Sequence, residues 1–347
     1  MKLAQMKEIA DAILYEGYLL YPYRRSAIKN RQRWTFGVVY PQAYSLARGG
    51  QEPWTMRTEC LFRGTPHQTQ LTVMVRFLHL LQNNVVHVDK PAAIAHDGLI
   101  VPRQMHEEWE EGVTREIILP DLTLRRVLTQ PIEQVISFPG RYVVQSLSNG
   151  SIRSSWREQQ DILGLVKISA SNVQADIYKL VVSIENLTPQ AGIDMQQREA
   201  VLLNSFISTH TILQLQQGTF FSSLDPPDEL SEVARRCQNC HTWPVLIGDE
   251  GELQTMLSSP IILYDYPKIA PESVGSFFDG TEIDEMLTLR MLTLSDDEKE
   301  ELRHGDERAR EILERTESLS VEQLMKLHGV VRRDDERQSV DERGNRQ

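Results

Sequence analysis

Cysteine is scarce in this chain. Three residues in 347 are too few to staple a fold of this size, which excludes a disulfide framework and points to a reducing compartment. Long apolar runs are also missing. No window approaches the roughly 18–20 apolar residues of a membrane-spanning helix. Met1–Glu16 carries Lys2, Lys7, Glu8 and Asp11 and lacks the continuous apolar stretch of a signal peptide. The expected address is the cytoplasm. Positive charge is short as well: at a formal net charge of −12 the molecule on average repels nucleic acid and anionic membranes, and only a local basic patch would override that. Gly-x-Ser-x-Gly, His-Glu-x-x-His and Gly-x-x-x-x-Gly-Lys are all absent, so no nucleophile elbow, zinc-protease helix or phosphate loop can be read off. A catalytic group assembled in space from distant residues stays open.

What is present is an ordinary globular composition, 40% hydrophobic and 25% charged, in a chain long enough for two domains. Leu3, Met6, Ile9, Ala10, Ile13 and Leu14 recur at helical spacing before Gly17, which predicts a short amphipathic N-terminal helix over 3–16. Short strands are expected next, at Trp34–Tyr40, Met56–Phe62, Leu71–Leu81 and Ile117–Leu124. The clearest pair follows. Ile162, Gly164, Val166 and Ile168 alternate with Asp161, Leu163, Leu165 and Lys167, while Tyr178, Leu180, Val182 and Ile184 alternate with Lys179, Ser183 and Glu185. Two such strands joined by a short polar link read as antiparallel neighbours with one buried face.

Asp194 with Gln197 forms a capping box for a helix running through Leu203, and Phe206–Phe221 returns to strand. Pro226-Pro227 marks a break. Beyond it, 228–237 reads as helix, and Trp243–Ile247 and Ile261–Tyr264 as strands. Helices opened by Ser295/Glu298 and Ser320/Gln323 close the region. The expected fold is α+β. A sandwich-like antiparallel sheet domain with an N-terminal helix fills 1–225, an α/β region ending in helices fills 226–333, and the charged tail 334–347, without apolar anchors, is expected to stay disordered.

Three constellations could carry function. Cys237-Gln238-Asn239-Cys240-His241 has the spacing of a haem attachment site, half a zinc site or a redox dithiol. Haem attachment needs export. A structural zinc needs four ligands, and this segment offers at most Cys237, Cys240 and His241, with Cys60, His210, His304 and His328 at no ligand spacing. A redox dithiol favours a helix N-terminus, whereas this pair follows the expected helix. Two reduced cysteines in a connecting loop is the favoured reading, and a metal-binding (zinc) or redox module on these three residues is the alternative.

The second constellation interleaves Tyr15, Tyr18, Tyr21, Tyr23, Trp34, Phe36, Tyr40 and Tyr44 with Arg24, Arg25, Lys29, Arg31 and Arg33. Basic plus aromatic suits single-stranded nucleic acid. In so acidic a protein, pairing with carboxylates of the chain itself or of a partner is the better expectation. The third is the acidic run Asp279, Glu282, Asp284 and Glu285. It fails the EF-hand pattern and suits a helix N-terminus better than a hard cation.

Three longer segments carry a resemblance. They are Glu16-Gly17-Tyr18-Leu19-Leu20-Tyr21-Pro22-Tyr23-Arg24, Ser259-Pro260-Ile261-Ile262-Leu263-Tyr264-Asp265-Tyr266-Pro267 with Ala270-Pro271-Glu272-Ser273, and Phe278-Asp279-Gly280-Thr281-Glu282-Ile283-Asp284-Glu285. Together they resemble a bacterial family whose genes sit beside nickel–iron hydrogenase structural and maturation genes. The resemblance runs to about Arg332 and brings no known chemistry with it. It implies a cytoplasmic, non-catalytic accessory protein that contacts a hydrogenase subunit or maturation factor. The expected contact residues are Tyr21, Tyr23, Arg24, Arg25, Asn30 and Arg31 on the basic side and Asp279, Glu282, Asp284 and Glu285 on the acidic side.

Overall fold

The computed structural model describes residues 36–88, 104–148, 152–189 and 198–267, with isolated positions between 295 and 318. The helix expected over 3–16, both contact segments, most of the helices expected after 278 and the tail 334–347 lie outside the described residues. In chain order the elements are α1 (Gln42–Ala47), β1 (Thr55–Gly64), β2 (Gln70–Val88), β3 (Gln104–Thr123), α2 (Leu124–Thr129), β4 (Ile132–Phe138), β5 (Arg141–Ser148), β6 (Ile152–Gln159), β7 (Ile162–Gln174), β8 (Ile177–Asn186), α3 (Arg198–Leu202), β9 (Ile207–Gln216), β10 (Gly218–Phe220), a 3-10 turn at Asp228–Leu230, α4 (Ser231–Ala234), β11 (Trp243–Leu246) and β12 (Thr255–Ser259).

The strands form two antiparallel sheets. The first runs β10-β1-β8-β7-β4 and the second β11-β12-β9-β2-β6-β5, with β3 on the other edge of β2. Period-2 alternation decides which side chains meet between them. Met56, Cys60 and Phe62 from β1, Val166 and Ile168 from β7, and Leu180, Val182 and Ile184 from β8 share one core with Val73, Val75 and Phe77 from β2 and Leu213 and Leu215 from β9. Each such side chain, fully buried, contributes roughly 1.5–3 kcal/mol. The β7–β8 pair is the one expected from its alternation, in register from Gly164↔Asn186 through Ile168↔Val182.

The second sheet is apolar on its outer face too. Val38, Tyr40, Tyr44, Leu78, Leu80, Val201, Leu202 and Ile207 cluster there, bringing α1 and α3 onto it. Ile212, Val245, Ile247 and Leu257 form a second outer patch. This two-sided burial explains several departures from the expected pattern. β12 is buried at every position, so it shows no alternation to read, and the strand lies there rather than at Ile261–Tyr264. That stretch is irregular, with Ile262 72% and Tyr264 86% exposed. Of Trp34–Tyr40, the described part contributes one bridge, Val39 to Phe206. The strand expected over Phe206–Phe221 is broken into β9 and β10 at Gln217, whose φ is 54°. The helix expected over 228–237 is a 3-10 turn followed by one turn of α-helix. Beyond Pro226-Pro227, β12 pairs with β9 and β11 with β12 to complete the second sheet, so the chain on either side of 225 shares one sheet and one core.

β2 governs the shape. One edge pairs with β3 along its full length, from Gln70↔Thr123 to Val88↔Gln104. The other edge pairs with β9 as far as Leu78↔Ile207 and then, from Gln82↔Glu158, with β6. Where β2 changes partner, the chain crosses between layers twice. β4 lies in the first sheet and β5 in the second, and β7 and β6 do the same in reverse. The crossings at Pro139-Gly140 and Gln160-Asp161 are tied together by the Gly140 N–H donating to Asp161 Oδ1 at 2.6 Å. A Cβ on Gly140 would stand 2.6 Å from the Gln159 carbonyl oxygen, so the approach needs glycine.

Gly164 serves the core in the same way. A Cβ there would lie 2.6 Å from both the Glu185 carbonyl oxygen and the Phe206 ring, and Phe206 stacks on Phe77 with centroids 4.6 Å apart. Gly164→Ala therefore displaces a ring at the sandwich centre. The expected loss is about 1–3 kcal/mol in urea unfolding, and an unchanged midpoint would contradict this packing.

Candidate functional site

The Cys-x-x-Cys-His segment lies along an edge of the first sheet. β10 covers β1 at Phe62–Gly64; further down the same strand, Arg57 exchanges two backbone hydrogen bonds with Cys240, at 3.2 and 2.9 Å. Asn239 Oδ1 accepts the Glu59 N–H at 2.8 Å. The anchor is the buried Glu59 carboxylate, which accepts from Gln238 N–H at 3.0 Å, from Lys179 Nζ at 3.1 Å and from Arg57 Nε at 2.9 Å. Burial pushes this carboxyl up, but the Gln238 N–H, Arg57 and Lys179 together outweigh it and hold the group below its ordinary range. After Cys240 the chain turns at His241, with φ 62°, and enters β11. Thr242 Oγ1 and Thr58 Oγ1 each meet Ser258 Oγ at 2.7 Å, which clips the turn to both sheets.

This environment does not favour thiolate chemistry. Cys237 is half-buried with its Sγ 3.9 Å from the Val233 carbonyl oxygen, and burial, then Glu59, raises its pKa. Cys240 and His241 are exposed. Cys60, which sequence spacing left isolated, is brought close enough for Cys237 to act on it, yet it is fully buried, and burial above all pushes its thiol up. His210 lies elsewhere, opposite Arg76 in the β9–β2 pairing. Among the described residues, no three His, Cys, Asp or Glu side chains group as metal ligands. His304, His328 and the ten expected contact residues from Tyr21 to Glu285 lie outside the described residues.

A second site, which no spacing announced, sits at the layer crossing. Phe77↔Arg115 and His79↔Val113 pair across β2 and β3, so Arg115 and His79 are diagonal neighbours on the inward face, about 7–8 Å apart at Cα. Arg141↔Gln159 pair across β5 and β6 beside them. Arg115 Nη2 donates to Gln159 Oε1 at 2.8 Å, and its guanidinium carbon lies 4.5 Å from the Phe138 ring centroid. Gln159 Nε2 reaches the His79 carbonyl oxygen at 3.4 Å. Arg115 Nε is buried without a hydrogen-bond partner among the described residues; the His79 ring is buried too, with the Gln160 backbone beside it opposing the fall in its pKa. Burial, and then the Arg115 cation, lowers the His79 pKa to about 4, so the ring is neutral at pH 7.

These residues come from five strands, β2 to β6, so no local pattern in the sequence connects them. One signal was available. His79 continues the odd-numbered series Leu71, Val73, Val75, Phe77, a phase that places a titratable ring on the inward face.

A scan against protein-family models found no match to this chain, and a search of curated proteins found none either.

The Glu59 clamp yields a test. Glu59→Gln loses two ion pairs to partly exposed cations and destabilises by about 2 kcal/mol, whereas Cys240→Ser leaves the unfolding midpoint unchanged. The carboxyl is lowered from 4.5, so its contribution is complete above that pH and fades as pH falls through the folded value. Chemical unfolding at pH 7 and at pH 3 should show the gap between wild type and Glu59→Gln closing in acid. An equal loss in Cys240→Ser would point instead to a ligand held by the thiols.

Proposed function

We propose that this chain is an accessory protein of nickel–iron hydrogenase assembly or operation, acting by protein–protein contact with a hydrogenase subunit or maturation factor. The hydrogenase side of the reading rests on the three segments whose resemblance was set out above. The contact side rests on β5. This strand ends its sheet and pairs only with β6 among the described residues, and it exposes Tyr142 at 62%, Val143 at 47% and Val144 at 57%. A strand edge with apolar side chains on both faces is a template for a strand from another chain. The occupant we assign to it is an extended segment of the hydrogenase component.

In the same reading, residues 3–16 form an amphipathic helix, and the region beyond 226 is α/β and ends in helices. The basic–aromatic residues Tyr21 to Arg31 and the acidic run Asp279 to Glu285 add charged contacts around the strand pairing. The protein works in the cytoplasm without a bound cofactor.

Purification of a tagged copy under native expression should recover a hydrogenase subunit or maturation factor, and Val144→Lys should sharply reduce that recovery. Loss of all hydrogenase components from the wild-type eluate would overturn the reading. Stoichiometric zinc in the purified protein, lost in Cys237→Ser, would move the assignment to a metal module on Cys237, Cys240 and His241.

A further inference from the structure

The free edge at β5 is sorted by charge between its two faces. Pairing with β6 sets Arg141 opposite Gln159, Tyr142 opposite Glu158, Val143 opposite Arg157 and Val144 opposite Trp156. Alternation then places Arg141, Val143 and Arg157 on one face and Tyr142, Val144, Trp156 and Glu158 on the other. Arg141 and Arg157 are both exposed, and among the described residues neither has a carboxylate partner. Arg115 adds a third cation on this face; burial first, and then Arg141, lowers its pKa.

The acids nearby are committed elsewhere. Glu111 lies on the arginine face but meets Asn83 Nδ2 at 3.5 Å. Glu116 is on the other face, 2.8 Å from Arg76 Nε, and Asp161 accepts the Gly140 N–H at the crossing. Glu158 is half-buried on the face of Tyr142, where it takes the Gln160 side-chain amide at 2.7 Å.

A strand added to this edge therefore meets two different chemistries. On the first face its side chains lie opposite Arg141 and Val143, with Cβ atoms about 5 Å across. Arg157 stands one strand further in, roughly 10 Å away, a gap that an arginine and a glutamate side chain bridge together. On the second face the added strand meets Tyr142 and Val144, backed by the half-buried Trp156, and Glu158 repels a carboxylate there. We infer that β5 takes an extended acidic segment in which carboxylates alternate with apolar residues, the carboxylates beside Arg141 and Arg157 and the apolar side chains beside Tyr142 and Val144. Main-chain hydrogen bonds along the edge supply affinity, and the alternation supplies selectivity. Single-stranded nucleic acid fits less well: it cannot extend the ladder, and a net charge of −12 opposes a polyphosphate more than a segment with a few carboxylates. Use of β5 as the contact edge is taken from the function proposed above; the charge sorting adds the chemistry of its occupant.

Fluorescence anisotropy on the full chain at pH 7 tests the assignment with three labelled eight-residue peptides: alternating Val/Glu, alternating Val/Lys, and a block of four Val followed by four Glu. Saturable binding is expected for alternating Val/Glu, about tenfold weaker binding for the block peptide, and none for Val/Lys. The double variant Arg141→Gln/Arg157→Gln should bind Val/Glu about tenfold more weakly, the loss of two exposed ion pairs. The double reversal Arg141→Glu/Arg157→Glu should transfer the preference to Val/Lys. Arg63→Gln, at an exposed arginine paired with Asp176, should change nothing. Circular dichroism checks each variant, and the peptide series on the wild type decides the matter if a variant does not fold. No saturable binding of Val/Glu, equal binding of Val/Lys or of the block peptide, or a preference unmoved by the double reversal overturns the proposal. Oligothymidylate binding as tightly as Val/Glu, with the same arginine dependence, overturns it too. Hydrogenase recovery reports separately. A tagged copy that recovers no hydrogenase component while Val/Glu binds ends the hydrogenase reading alone, and a component recovered equally by wild type and Arg141→Gln/Arg157→Gln ends the acidic-segment proposal alone.

Discussion

The antiparallel ladder between β2 and β3 holds the two functions of the second sheet together. Through its first half β2 lies between β3 and β9 and presents Val73, Val75 and Phe77 to the core. Through its second half it lies between β3 and β6 and extends the sheet beyond that core. A strand shared in this way fixes the register of everything attached to it. A one-residue slip would turn Phe77 and His79 outward and bring Arg76 and Leu78 inward. The apolar side chains of the first half therefore set the position of the polar ones in the second.

That coupling explains why polar groups accumulate at the layer crossing. The inward face of β2 continues past Phe77, but the first sheet does not continue with it, because β4 and β7 end at the Pro139-Gly140 and Gln160-Asp161 crossings. Phe138 is the last aromatic contribution from that sheet, meeting Phe77 edge-on at 6.2 Å. Beyond it the facing residues are Arg115, Gln159 and Arg141. His79 itself is fully buried, so the crossing sets a neutral ring and a guanidinium at the end of the core.

The two-sheet core was largely legible from alternation where one face is buried and the other wet. β7 and β8 show this, while Met56–Phe62 within β1 and Leu71–Leu81 within β2 were legible as strands although most of their positions are buried. The pattern failed for two physical reasons. β12 and much of β9 are buried on both faces, so apolar and polar residues do not alternate in them. The far half of β3, an acidic run, lies before the strand expected at Ile117–Leu124, yet pairing to β2 makes it strand as well. The site was less legible. The Cys-x-x-Cys-His segment drew notice for its spacing, but its backbone and Asn239 do the structural work, held by a glutamate 178 positions before Cys237. His79, Arg115 and Arg141 have no shared spacing, and only a three-dimensional register brings them together.

The central claim is that the β2–β3 ladder fixes the register of both halves of the second sheet, and hydrogen exchange on the intact protein tests it most directly. Paired amides of β2 should exchange slowly both beside β9, at 71–78, and beside β6, at 82–84, opening as one unit. Fast exchange at 82–84 against slow exchange at 71–78 would contradict the account.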